Sequence, residues 1–267
     1  MIGALFGRTV ASNRIRLLAC GLGLAVWGAV LPVIYATFGK EVGEFIKGNP
    51  LFEQFSSFGG GDLFSLHGAV AIGFIHPFTL LLMGIIAVGM PAISIAGERQ
   101  RGTLEVLLAR PISRRTLYVV LFLAGALFLA ALLAVELAAN ALSASLMGVG
   151  DELKVGNLSL LWLNGWLLFL AFLSIGFAAS VSFDRVAPAL GVTLVILLAS
   201  YLVDVIASLW PDVQEYDQYS LFHYVQARDV LEGDLSLTNL AVLALVTLVG
   251  IAYAWVVFPR RDLAAPT

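Results

Sequence analysis

Few residues in this chain have the chemistry to act, and they are scattered. Two histidines, His76 and His223, accompany several carboxylates, and such side chains are ordinary zinc donors. Their spacing matches no ligand motif, so no metal site is expected. Gly59-Gly60-Gly61-Asp62 has the composition of a phosphate cradle, but no Gly-Lys-Ser/Thr follows it, and a flexible linker is the better reading. The one cysteine, Cys20, excludes both a disulfide scaffold and an all-cysteine zinc site. A nucleophile–base pair, or clustered Asp and His at working depth, is what an intramembrane enzyme would need, and neither is present. Five strongly polar residues stand inside or beside long apolar runs: His76, Glu136, Asn140, Asn164 and Asp204.

One segment carries a denser pattern: Glu98-Arg99-Gln100-Arg101-Gly102-Thr103-Leu104-Glu105-Val106-Leu107-Leu108-Ala109-Arg110-Pro111-Ile112-Ser113-Arg114-Arg115. Leu104, Leu107 and Leu108 fall at i, i+3 and i+4 and make one apolar knob on a short helix. Arg110 precedes Pro111, and a residue before proline is pushed out of helical geometry, so the helix stops there. A loop that served only to set membrane topology would need arginines, but no leucine face, Gly-Thr entry or proline stop. The pattern predicts a docking element in which the knob is the contact.

The elements that must position these residues follow from composition. Of the 267 residues, 60% are hydrophobic and 12% charged, where a soluble domain carries about 25% charged. The net charge of −3 excludes a generally basic nucleic-acid binder, and no nucleic-acid partner is expected. Uncharged runs of membrane-crossing length lie at 17–38, 68–97, from 117 to Glu136, 158–183, 186–210 (interrupted only by Asp204) and 235–258. They do not alternate as barrel strands do. The expected fold is all-α: a single polytopic domain with six transmembrane helices embedded in a lipid bilayer.

Orientation is read from Lys and Arg. With the amino terminus inside, eleven arginines fall in inner segments, while Lys40, Lys47, Lys154 and Arg228 fall outside. Both termini are therefore expected in the cytoplasm, with the chain in the cytoplasmic membrane. The first span is too long for a secretion-signal core, and Cys20 reads as an ordinary span residue. In residues 1–16, Ile2, Leu5, Phe6 and Val10 share one helical face, as a helix lying in the inner interface would have. Residues 211–234 read as short helices resting on the outer surface. Gly21, Ala25 and Ala29 recur every four positions, which permits close helix packing.

Depth arithmetic places the span carboxylates toward the outer side. Glu136 lies 19 residues past Leu117, about 28 Å at the usual rise, and Asp204 lies 16 past Pro188, about 24 Å. Together with His76, Asn140 and Asn164 they are candidates for an outer vestibule. The competing reading has the carboxylates pairing or snorkelling near headgroups.

Glu98, Gly102-Thr103-Leu104-Glu105, Leu107-Leu108, Pro111, Ser113 and Arg114 resemble the signature of ABC-2-type permeases, the membrane subunits of bacterial and archaeal ABC exporters. The resemblance extends to six spans, to Ser220-Leu221-Phe222-His223-Tyr224 with Gly233, and to Phe258-Pro259-Arg260-Arg261-Asp262-Leu263. The chain is most similar to permeases grouped with multicopper-enzyme maturation systems, a broad group that does not imply copper as cargo. The resemblance implies that residues near 98–110, with Glu98, Arg99, Arg101 and Arg110 flanking the leucines and Pro111 and Arg114 closing the segment, form a coupling helix. That helix would dock on a separate ABC ATPase subunit, and two permease chains, identical or different, would pair around the path. The sequence contains no Gly-x4-Gly-Lys-Ser/Thr, so ATP and Mg are expected on the partner and no cofactor in this chain. The alternative is a membrane scaffold or assembly subunit without transport.

Overall fold

The computed structural model describes residues 2–46, 65–109 and 112–261. Gly59–Asp62, Lys47, Arg110, Pro111 and Asp262-Leu263 lie outside the described residues. Among those described there are helices and no strands, and six helices are long and apolar enough to cross a membrane. They are α1 (Ile2–Ile46), α3 (Pro77–Gln100), α5 (Arg114–Leu146), α6 (Val155–Ser182), α7 (Val186–Leu209) and α9 (Leu237–Arg260). Three short helices join them: α2 (Leu66–Ile75), α4 (Leu104–Leu108) and α8 (Ala227–Glu232). A 24-residue helix is about 36 Å long, enough for a hydrocarbon core of ~30 Å.

Burial sorts the spans into two groups. The apolar windows of α3, α5 and α6 are 56%, 56% and 61% buried, whereas those of α1, α7 and α9 are 22%, 17% and 22% buried. The first three form the centre and the others clad it, α1 along α5 and α9 along α6. Tyr118, Phe169, Phe172 and Phe177 fill the middle, with the Tyr118 ring edge-on to Phe177 at 5.5 Å. Because lipid is as apolar as these side chains, close packing and interhelical hydrogen bonds supply the specificity. Trp162 and Trp166 of α6 donate their indole N–H groups to Ala130 O and Ala126 O of α5, both at 2.9 Å.

Three expectations need correction. Residues 2–16 are helical, but they are the first turns of α1 and no break separates them from the span. Their buried positions are Leu5, Thr9 and Asn13, spaced by four, with Phe6 and Val10 only partly covered and Ile2 exposed. After a step of seven the stripe resumes at Cys20, Leu24 and Gly28, one residue ahead of Gly21, Ala25 and Ala29.

The second apolar run is two helices rather than one. Pro77 at the first turn of α3 drives His76 into extended backbone (φ −63°, ψ 145°), and His76 Nδ1 accepts the Phe78 N–H at 3.2 Å. Lower in α3, two π-helical stretches, Ile85–Gly89 and Ala92–Gly97, flank Pro91, which has no N–H to give. Ser180 of α6 repairs the ladder, donating to Pro91 O at 2.6 Å and accepting from Ala96 N at 3.0 Å.

Contacts set the topology. The start of α1, the 98–109 segment, the α6–α7 turn and the end of α9 meet at one arginine-rich end. The opposite, far end carries the 3₁₀ turns Pro211–Tyr219 and Phe222–Tyr224 with α8. Asn157 of α6 holds this segment through Leu231 O at 2.7 Å, and Gly233 closes α8 at φ +107°, where glycine is favoured.

Candidate functional site

The 98–115 segment is built as a braced corner. Gly102 has φ +69°, a left-handed turn that reverses the chain as α3 ends. Glu98 holds that turn from three sides: Oε1 accepts from Arg101 Nη2 at 2.9 Å, Oε2 accepts the Thr103 hydroxyl, and its carbonyl accepts Thr103 N at 2.9 Å. Helix α4 follows at once. After the undescribed Arg110 and Pro111, Ser113 caps α5 by accepting from Thr116 N at 3.0 Å.

The leucine knob points the other way from the sequence expectation. Leu104 is 1% exposed and belongs to the main core; Leu107 and Leu108 are half-buried, Leu108 packed against that core. A helix of five residues has too few backbone bonds to stand alone, so its apolar face is consumed in anchoring it. The surface it presents is instead Glu105 and Val106, with Val106 70% exposed. Beside it, a groove of about 200 Å³ runs between the first turns of α1 and the ends of α3 and α5, lined among others by Thr9, Asn13, Glu98, Arg101 and Leu107.

Arg99 and Arg114 also differ from the docking role expected of them. Arg99 is 5% exposed, pairs with Asp184 at 3.1 Å and donates to Phe183 O at 3.3 Å. Arg261 reaches the same carboxylate at 3.3 Å and donates to Val181 O at 2.9 Å. Arg114 Nη1 faces the carbonyls of Phe258, Pro259 and Arg261 at the end of α9. These guanidiniums therefore cap the carbonyl ends of α6 and α9 and tie α3, α5 and the α6–α7 turn together. Sequence reading missed Asp184, whose signal was its place as the one acid in the short Phe183-Asp184-Arg185 turn.

The vestibule candidates do not converge. Glu136 and Asn140 are 0% and 1% exposed, inside the junction of α1, α3 and α5. Asn164 is 1% exposed and donates to Tyr224 O at 3.1 Å, a structural tie to the far-end segment. His76 sits at the α2–α3 joint with its ring 4.6 Å from that of Trp27. Asp204 alone lines a far-end cavity, about 460 Å³, together with Gln214, Asp217, His223, Arg228 and Asp229. There His223 Nδ1 and Asp217 Oδ2 are 2.6 Å apart, and Ser208 in the same wall gives its hydroxyl to Val205 O at 2.8 Å. Among the described residues, no three His, Cys, Asp or Glu side chains are grouped to hold a metal.

The fold and the corner define a multi-pass membrane protein with a helical bundle and one braced element at its arginine-rich end. Residues 17–263 match the family model described as ABC-2 family transporter protein, and the chain belongs to that family. A comparison with curated individual proteins gives no match. Membership carries a permease role in membrane transport and partnership with an ABC ATPase subunit.

Proposed function

We propose that this chain is the membrane subunit of an ATP-driven exporter, with α4 as the element that receives the stroke of the ATPase. The observation that carries this reading is the corner itself. A five-residue helix is fixed to the bundle by Leu104, braced by Glu98 and Arg101, and presents Glu105 and Val106 outward. ATP and Mg belong to the partner, and this chain does no covalent chemistry.

The excess of arginine at this end supports a cytoplasmic location for it and for both termini. Two such chains would pair, using apolar faces of α1, α7 or α9 that are left open in the single chain, and lipid would cover the remainder. Closure of the ATPase subunits would move α4, and through Arg99 and Asp184 the α6–α7 turn, shifting the bundle between inward- and outward-facing states.

The test is purification of the tagged chain from its native membrane in mild detergent, with ATPase activity measured on what accompanies it. An ATPase subunit is expected, and Val106→Asp should lose it while keeping the thermal midpoint of the wild type. A chain that always purifies alone, without ATP turnover, would overturn the proposal in favour of a scaffold.

A further inference from the structure

Glu136 plays no part in docking, yet its surroundings contain one proton too few. The carboxyl has no exposed surface. Thr79 Oγ lies 2.9 Å from Glu136 Oε1 and also 2.9 Å from Gly73 O. A hydroxyl has one hydrogen, so it cannot donate to both. If Glu136 is ionised, one of these two short contacts sets acceptor against acceptor. Gly73 O is besides engaged by Trp27 Nε1 at 3.0 Å. Two further buried acceptors, Glu136 Oε2 and Asn140 Oδ1, have no donor among the described residues. A hydrogen on Oε1 resolves the conflict: Glu136 donates to Thr79, and Thr79 donates to Gly73 O. An ionised carboxylate here would also be an uncompensated charge at membrane depth.

We propose that Glu136 is a proton-binding site at the junction of α1, α3 and α5, occupied in this packed state and emptied when the junction opens to water. The surroundings supply little competition. Facing Glu136, α1 brings Trp27 and Gly28, α2 brings Gly73, α3 brings Thr79, and α5 itself brings Asn140. Among the described residues the titratable neighbour is His76, whose ring is tilted 34° against that of Trp27, and no arginine or lysine reaches the carboxyl. A proton on Glu136 thus favours the closed junction and its loss favours separation of α3 from α5. The site ties the conformational equilibrium to pH independently of the ATPase.

The experiment measures the thermal midpoint of the full chain in nanodiscs against pH, at fixed ionic strength, for wild type and Glu136→Gln. A site that holds a proton when folded is stabilising at low pH, and that stability is lost as pH rises through its titration. The wild-type midpoint is expected to fall by about 5 °C over about three pH units above the ordinary glutamate value of about 4.3, and the Glu136→Gln midpoint to stay level over the same range. Equal slopes in the two proteins would overturn the proposal. So would a wild-type midpoint that drops when choline replaces sodium, since a metal cation would then hold the site. Should Glu136→Gln fold poorly, the infrared carbonyl band of the protonated carboxyl gives the second reading. Thr79→Ala, which removes the acceptor, should shift that band, and Thr79→Ser should restore it. A band indifferent to Thr79 would equally overturn the proposal.

Discussion

Arg99 and Asp184 meet at 3.1 Å across 85 residues of sequence, the guanidinium buried and the carboxylate half-exposed. This pair joins the last turn of α3, which leads into α4, to the turn between α6 and α7. The two partners are not equivalent. Neutralising the carboxylate leaves a buried cation with only uncharged oxygens facing it, whereas removing the cation leaves an acid with water and Arg261 to satisfy it. Asp184→Asn should therefore cost about 2–4 kcal/mol, and Arg99→Met, which keeps the volume and drops the charge, within about 1 kcal/mol. Thermal unfolding in detergent reads both, and an Asp184→Asn protein as stable as Arg99→Met would contradict the asymmetry.

Helix α4 separates anchoring from presentation on opposite faces. Leu104→Ala opens a cavity in the main core and should cost about 2–4 kcal/mol. Val106→Ala removes no internal contact and should change stability by less than about 0.5 kcal/mol. The order reverses for binding, since Glu105→Arg should weaken association with the ATPase without lowering the midpoint. If Leu104→Ala proved neutral to stability, the helix would not be held as described.

Six spans, the short helix at 104–108 and the short helices that follow α7 were legible because each rests on a local signal. Twenty uncharged residues, a Gly-Thr entry and a run of short polar turns all act between residues close together in sequence. What was hidden depended on which face meets which. The 104/107/108 periodicity correctly marked an apolar face, but periodicity cannot say whether that face turns inward to the bundle or outward to a partner. Counting rise per residue gave Glu136 a position along α5, but its burial comes from Thr79 and Gly28 on other helices. The break at His76 was available in the sequence, since Pro77 constrains the residue before it, but an unbroken hydropathy run conceals it.

That break makes its own prediction. His76 caps α3 through Nδ1 and its ring contacts Trp27 at 4.6 Å, so His76→Ala removes a cap and a ring contact together. The loss should be about 1–2 kcal/mol. His76→Asn, which retains a capping acceptor, should recover part of it. Thermal midpoints of the two variants decide the matter, and equal losses would show that the cap contributes nothing.

The approach of α1 to α5 is set at Gly28. A Cβ there would lie 2.4 Å from Glu136 O and 3.0 Å from Asn140 Nδ2. The first of these is backbone, which cannot rotate away, so Gly28→Ala must push the two helices apart. At Gly21, one of the small residues that sequence spacing favours, a Cβ would meet only Leu132 Cδ2 at 3.6 Å, an ordinary contact. Gly28→Ala should thus cost about 1–3 kcal/mol by overpacking, while Gly21→Ala should be neutral or gain up to about 1 kcal/mol from helix propensity. Because the displaced atom belongs to Glu136, Gly28→Ala should also admit water to the junction and flatten the pH dependence of the midpoint, which Gly21→Ala leaves intact. Parallel thermal scans of the two alanine variants across pH test both halves. A Gly28→Ala protein as stable as Gly21→Ala would mean that the α1–α5 contact is looser than these distances require.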